Sequence, residues 1–86
     1  MRTASAETIA LRGLAFLAAS PEELTRFMNA SGTEPAELRA RAAEPEFLVA
    51  VLDFLLADDA LLTAFSEDED LNPRAIHLAR HELTGE

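Results

Sequence analysis

The sequence predicts an all-α protein, a compact bundle of about six short helices in a single domain over residues 1–86. Apolar residues make up 49% of the chain and aromatic residues only 6%, so Ala and Leu, both strong helix formers, supply most of the apolar side chains. Little of the chain alternates β-branched with polar residues, as strands do. Only three Gly and four Pro interrupt it.

Each proline stands where a helix can begin, because its missing N–H group would have no partner at the first helical position. We therefore expect helices over residues 5–19, 21–30, 35–43, 45–57, 59–66 and 73–83, four of them starting at Pro21, Pro35, Pro45 and Pro73.

Polar residues and one glycine mark further helix ends. Ser20 and Glu23 have the spacing of a capping box, and Asn72 can cap the last helix in a similar way. Gly32 is expected to end the second helix, because glycine adopts a left-handed conformation without strain.

The first and fourth helices are the most apolar. Arg12 is the only charge between residues 9 and 19, and Asp53 is the only charge between residues 47 and 57. Helices that are apolar nearly all round are buried on most sides, so we expect a central pair, part of whose surface could instead be an oligomer interface. Arg12 and Asp53 are predicted either to pair, within the chain or across a dimer, or to reach solvent separately.

The chain matches itself without gaps at an offset of 38 residues. Leu17, Phe27 and Pro35 fall on Leu55, Phe65 and Pro73, and Ser20 falls on Asp58 as a second helix cap. The match predicts two tandem three-helix repeats, about 9–42 and 47–80.

The net charge of −9 opposes contact with nucleic acid or anionic membranes. No cysteine is present, so no disulfide is possible and a cytoplasmic location is expected. No apolar stretch reaches the roughly 20 residues that span a bilayer, and we predict no targeting segment.

Two patterns resemble metal sites. His77 and His81 have the spacing of a two-histidine grip, but no third ligand is evident. Asp68, Asp70 and Asn72 imitate the first ligands of a calcium-binding loop, which then fails because Pro73 replaces its glycine. No nucleophile–base pair and no isolated carboxylate pair is present, so we predict no catalytic, cofactor or metal site.

All the basic residues are arginines, and four fall on the third and sixth helices: Arg39, Arg41, Arg74 and Arg80. They could form a nucleic-acid contact, but no interleaved aromatic residue or glycine loop supports it. The alternative is that they pair with Glu37, Glu44 or Glu82 at the surface.

Three segments carry a resemblance to a known family: LRGLAFLA at 11–18, TRFM at 25–28 and VLDFLL at 51–56. The chain resembles the small bacterial proteins classed as domain of unknown function 3572 over almost its whole length, with Gly13 where that family is expected to have alanine. The resemblance implies a compact helical cytoplasmic protein and carries over no functional residue.

These observations together predict a non-enzymatic protein–protein interaction or adaptor domain, for which a homodimer is one form. The alternative is a nucleic-acid-associated regulator that uses the arginines of the third and sixth helices. A metal-dependent enzyme using His77 and His81 is a third reading.

Overall fold

Six α-helices make up the computed structural model, which describes residues 5–85. They are α1 (Ala6–Ala18), α2 (Pro21–Ser31), α3 (Leu38–Arg41), α4 (Pro45–Leu56), α5 (Asp59–Asp68) and α6 (Pro73–Thr84). The third helix departs most from the predicted elements, because a 3-10 turn, Pro35–Glu37, leads into a shorter α3. The described residues form no strand, and the all-α prediction is confirmed.

Most of the predicted helix caps are in place. The Oδ1 atom of Asn72 accepts a hydrogen bond from the backbone N–H of Arg74 at 2.9 Å, which confirms the predicted start of α6. Asp58 caps α5 in the same way. Gly32 ends α2 with a φ of 71°, and the N–H of Thr33 donates to the carbonyl of Met28 at 3.1 Å, as glycine caps commonly do.

The capping box predicted at Ser20 and Glu23 is wrong. Ser20 is the N-cap residue of α2, but its hydroxyl makes no capping hydrogen bond. The Glu23 carboxylate instead accepts from the Arg26 guanidinium at 2.6 Å, a charge-assisted bond that is stronger than a bond to a neutral backbone N–H.

The core lies where α1, α4 and α6 pack against one another, with α2 packed mainly on α1 and α5 mainly on α4. Nine large side chains are fully buried: Leu17, Phe27, Phe47, Leu48, Val51, Leu52, Leu55, Phe65 and Ile76. The radius of gyration, 12.0 Å, matches the value of about 12 Å expected for a compact chain of this length.

The predicted pair, α1 and α4, does pack together in the core, but α4 is covered on more sides than α1. Both flanks of α4 are covered by other helices. One face of α1 instead borders solvent, and α6 joins α1 and α4 as the third helix of the core. An apolar helix can lie at the surface when the rest of the chain is too short to cover it.

The predicted tandem repeat stays a prediction. Two pairs of equivalent positions agree with it: Leu17 and Leu55 are both buried, and so are Phe27 and Phe65. By contrast, Leu38 is only half-buried where its counterpart Ile76 is fully buried.

Within residues 5–85, no helix has both the length and the apolar character needed to cross a membrane.

Candidate interaction groove

The exposed face of α1 carries apolar side chains. Leu11 is 44% exposed, and Ala15, Ala18 and Ala19 are also exposed. Their spacing places them on one side of the helix, opposite the buried residues Ile9, Gly13 and Leu17. We call Leu11, Ala15, Ala18 and Ala19 the outer α1 face.

A groove of about 420 Å³ lies between α1 and α5, next to this face. Its apolar lining comes from Ala15, Phe16, Ala19 and Leu61. Its polar lining comes from Arg12, Ser20, Glu23, Asp68 and Glu69. We call it the α1–α5 groove.

The groove exists because α1 and α5 meet through only a few side chains. The rings of Phe16 and Phe65 approach with centroids 5.4 Å apart and hold the two helices together beneath the groove. The Arg12 guanidinium binds the Glu69 carboxylate at 3.1 Å. Both helices pack more extensively on α4 and α6, so they diverge at the surface.

The predicted pairing of Arg12 with Asp53 is wrong within the chain. Arg12 faces α5 and binds Glu69, whereas Asp53 lies on the side of α4 that faces α6 and binds Arg80. The side chains of Arg12 and Asp53 are 55% and 48% exposed, so the alternative prediction, that each reaches solvent at a helix edge, is confirmed. Exposed ion pairs such as these typically contribute only about 0–1 kcal/mol.

The charge around the groove is predominantly negative. Its edge has three carboxylates, those of Glu23, Asp68 and Glu69. Glu69 is paired with Arg12, and Glu23 is paired with Arg26. Asp68 makes no ion pair with a basic side chain in the described part of the chain. The acidic run 67–70 also lies at the C-terminal end of α5, where the helix dipole disfavours negative charge.

Of the residues considered as metal ligands, only Asp68 lines the groove. His77 and His81 are exposed on α6. Asn72 uses its side-chain oxygen to cap α6. No group of three or more His, Cys, Asp or Glu among residues 5–85 could hold a metal ion.

Two of the four arginines considered as nucleic-acid contacts instead make side-chain contacts within the chain. Arg41 donates to Thr33 at 3.2 Å, pairs with Glu44 at 3.5 Å and covers the ring of Phe47. Arg80 binds Asp53, as described above. The expectation of surface pairing is confirmed for Arg41 with Glu44, whereas the Glu37 carboxylate accepts from the backbone N–H of Glu34.

Arg39 and Arg74, the other two, are exposed.

Sequence reasoning missed the groove residues. Ala15, Ala19 and Leu61 look like ordinary core positions in an Ala- and Leu-rich chain. The one signal was the row of small residues at 15, 18 and 19 of α1, which lacks the bulk expected of a side that packs against other helices.

Comparison with known proteins gives a family and no further relatives. No curated protein and no solved structure matches the chain. A family model, described as protein of unknown function (DUF3572), matches residues 3–86 and confirms the resemblance seen in the sequence. The chain therefore belongs to the DUF3572 family.

Proposed function

We propose that the chain is a non-enzymatic protein–protein interaction domain of the cytoplasm and that it binds its partner through the α1–α5 groove and the outer α1 face. The observation that supports this proposal is apolar surface left uncovered on the first helix, centred on Leu11 and Ala15 beside an open groove. Apolar surface beside a groove is typical of sites that receive an apolar helix face.

Two further features agree with this function. The alanines at 15, 18 and 19 allow the backbone of a partner to approach α1 closely. The absence of cysteine fits a reducing compartment. A nucleic-acid role has less support, because Arg41 and Arg80 already bind carboxylates of the same chain.

The test is a pull-down from the native host at physiological salt, with and without nuclease, read by quantitative mass spectrometry. Ala15→Gln places a longer neutral side chain in the groove and keeps a good helix former. Ala30→Gln is the matched control, because Ala30 is also an exposed helical alanine and lines a second, smaller groove of about 280 Å³ between α2 and α4.

A partner whose binding survives nuclease should be recovered with wild type and with Ala30→Gln. Its recovery with Ala15→Gln should be at least about five-fold lower, the loss expected when a side chain at the centre of an interface is changed. Equal recovery by both variants would place the interaction elsewhere. Recovery of nuclease-sensitive material alone would favour the nucleic-acid reading.

A further inference from the structure

We propose that the α1–α5 groove binds an amphipathic helix of another protein, with an apolar row flanked by Lys or Arg. This inference rests on the proposed function and adds the chemistry of the partner. Three features of the groove support it: its length, the charge at its edge and the charge of the whole chain.

The length of the groove matches a short helical segment. It follows α1 from Arg12 to Ser20, which is about 12 Å, or two helical turns, at 1.5 Å per residue. Two turns present apolar side chains at positions i, i+4 and i+7 on one side of a helix. Phe16 and Leu61 provide the apolar surface on which such a row can pack.

The edge of the groove selects a basic partner. Three carboxylates lie there, and the guanidinium groups of Arg12 and Arg26 already pair with Glu69 and Glu23. Asp68 makes no ion pair with a basic side chain among residues 5–85, so a cationic side chain of the partner can pair with it. The acidic end of α5 is unfavourable for the helix itself, since its carboxylates lie at the negative end of the helix dipole. Bound Lys or Arg side chains would remove this repulsion, so the partner's charge is complementary to that of the groove.

The same charges disfavour the other occupants. A second copy of the chain would bring another net charge of −9 and the same acidic edge. Nucleic acid or an anionic lipid surface would meet the carboxylates with phosphate groups of like charge.

The experiment selects helical peptides from a display library. Each peptide carries Leu at i, i+4 and i+7, and its flanking positions are randomised among Lys, Glu and Gln. Selection against the wild-type chain is expected to enrich Lys over Glu at the flanking positions. Binding of the selected peptides should weaken as the NaCl concentration rises, because salt screens exposed charges.

Charge-neutralising variants then test the groove directly. Glu23→Gln with Asp68→Asn removes two carboxylates from its edge and frees the Arg26 guanidinium that Glu23 binds. The affinity for the selected peptides should fall about 3- to 10-fold, the size of two exposed charge interactions. Glu46→Gln with Glu82→Gln is the control, because it changes the net charge equally at exposed positions outside the groove. Its affinity should stay at the wild-type value.

Several outcomes would overturn the inference. The selected peptides could lose binding to Ala15→Gln and yet show no preference for Lys at their flanking positions. That result would contradict a basic partner and leave the proposed function standing. Enrichment of no peptide, or equal loss in both double variants, would also contradict it. A light-scattering mass of two chains that Ala15→Gln returns to one would make a second copy the occupant. Failure of the proposed function is seen separately, as pull-down recovery that does not depend on Ala15.

Discussion

Gly13 lies on the side of α1 that packs against α4. A Cβ atom at this position would lie 2.9 Å from Cδ1 of Leu55 and 3.3 Å from Cγ1 of Val51. Glycine within a helix costs roughly 0.5–1 kcal/mol of stability relative to alanine. The close packing of α1 against α4 at this position offsets that cost. The glycine that stands in place of an expected alanine leaves room for the Leu55 and Val51 side chains of α4.

We expect Gly13→Ala to destabilise the chain by about 1 kcal/mol. Overpacking a buried contact costs typically 1–3 kcal/mol, which outweighs the gain in helix propensity. Thermal unfolding should show Tm lower by about 4–8 °C for a domain of this size. In a Leu55→Val background, which lacks Cδ1, Gly13→Ala should become neutral or stabilising. A higher Tm for Gly13→Ala alone would mean that Leu55 moves aside without cost.

The helices α2 and α5 end in the same kind of turn. Gly32 and Asp70 both have positive φ, of 71° and 55°, and they stand 38 residues apart, the offset of the predicted repeat. After each of them a backbone N–H donates back into the helix: Thr33 to Met28 at 3.1 Å, and Leu71 to Ser66 at 2.8 Å. The first turn has glycine, which adopts this left-handed conformation most readily, and the second turn has an aspartate at the equivalent position.

We expect Asp70→Gly to stabilise the chain by about 1 kcal/mol, because glycine adopts a left-handed conformation without the steric cost of a Cβ atom. Asp70→Ala is the control, since it removes the same charge and keeps the Cβ atom. Urea unfolding should rank Asp70→Gly above Asp70→Ala, and Gly32→Ala below wild type. Equal gains from both substitutions at position 70 would assign the effect to charge and not to backbone conformation.

Negative charge dominates the whole molecule. Sixteen acidic residues face seven basic ones. Ion pairs that link different helices or their caps are all partly exposed in the described part of the chain: Arg12 with Glu69, Arg26 with Asp58, Arg41 with Glu44 and Arg80 with Asp53. Such pairs contribute little, whereas the excess of carboxylates repels itself in the compact state.

We therefore expect salt to stabilise the chain. Raising NaCl from about 0.02 to 0.5 M shortens the distance over which exposed charges interact, and Tm should rise by a few degrees. Repeating the series with KCl separates screening from ion-specific binding. A Tm that falls with salt would mean that the ion pairs between helices outweigh the general repulsion.

The number of helices, the starts of all but the third and the Gly32 turn could be predicted from the sequence. Pro21, Pro45 and Pro73 begin helices because a proline at the first helical position needs no local partner, and Asn72 caps α6 from two residues away. These signals act within a few residues and do not depend on the rest of the fold. The capping box at Ser20 failed because Arg26, one turn away, competes for the carboxylate of Glu23.

The sequence by itself determined an all-α chain of six helices, the starts of all but the third, and a strongly acidic surface. Only the tertiary structure decided that α6 completes the core, that Arg12 binds Glu69, and that Ala15 lines a groove. The two most apolar segments look alike in the sequence, yet α4 is covered on both flanks and α1 borders solvent. Which side of an apolar helix is covered depends on packing with helices distant in the chain, and local patterns of residues do not encode that packing.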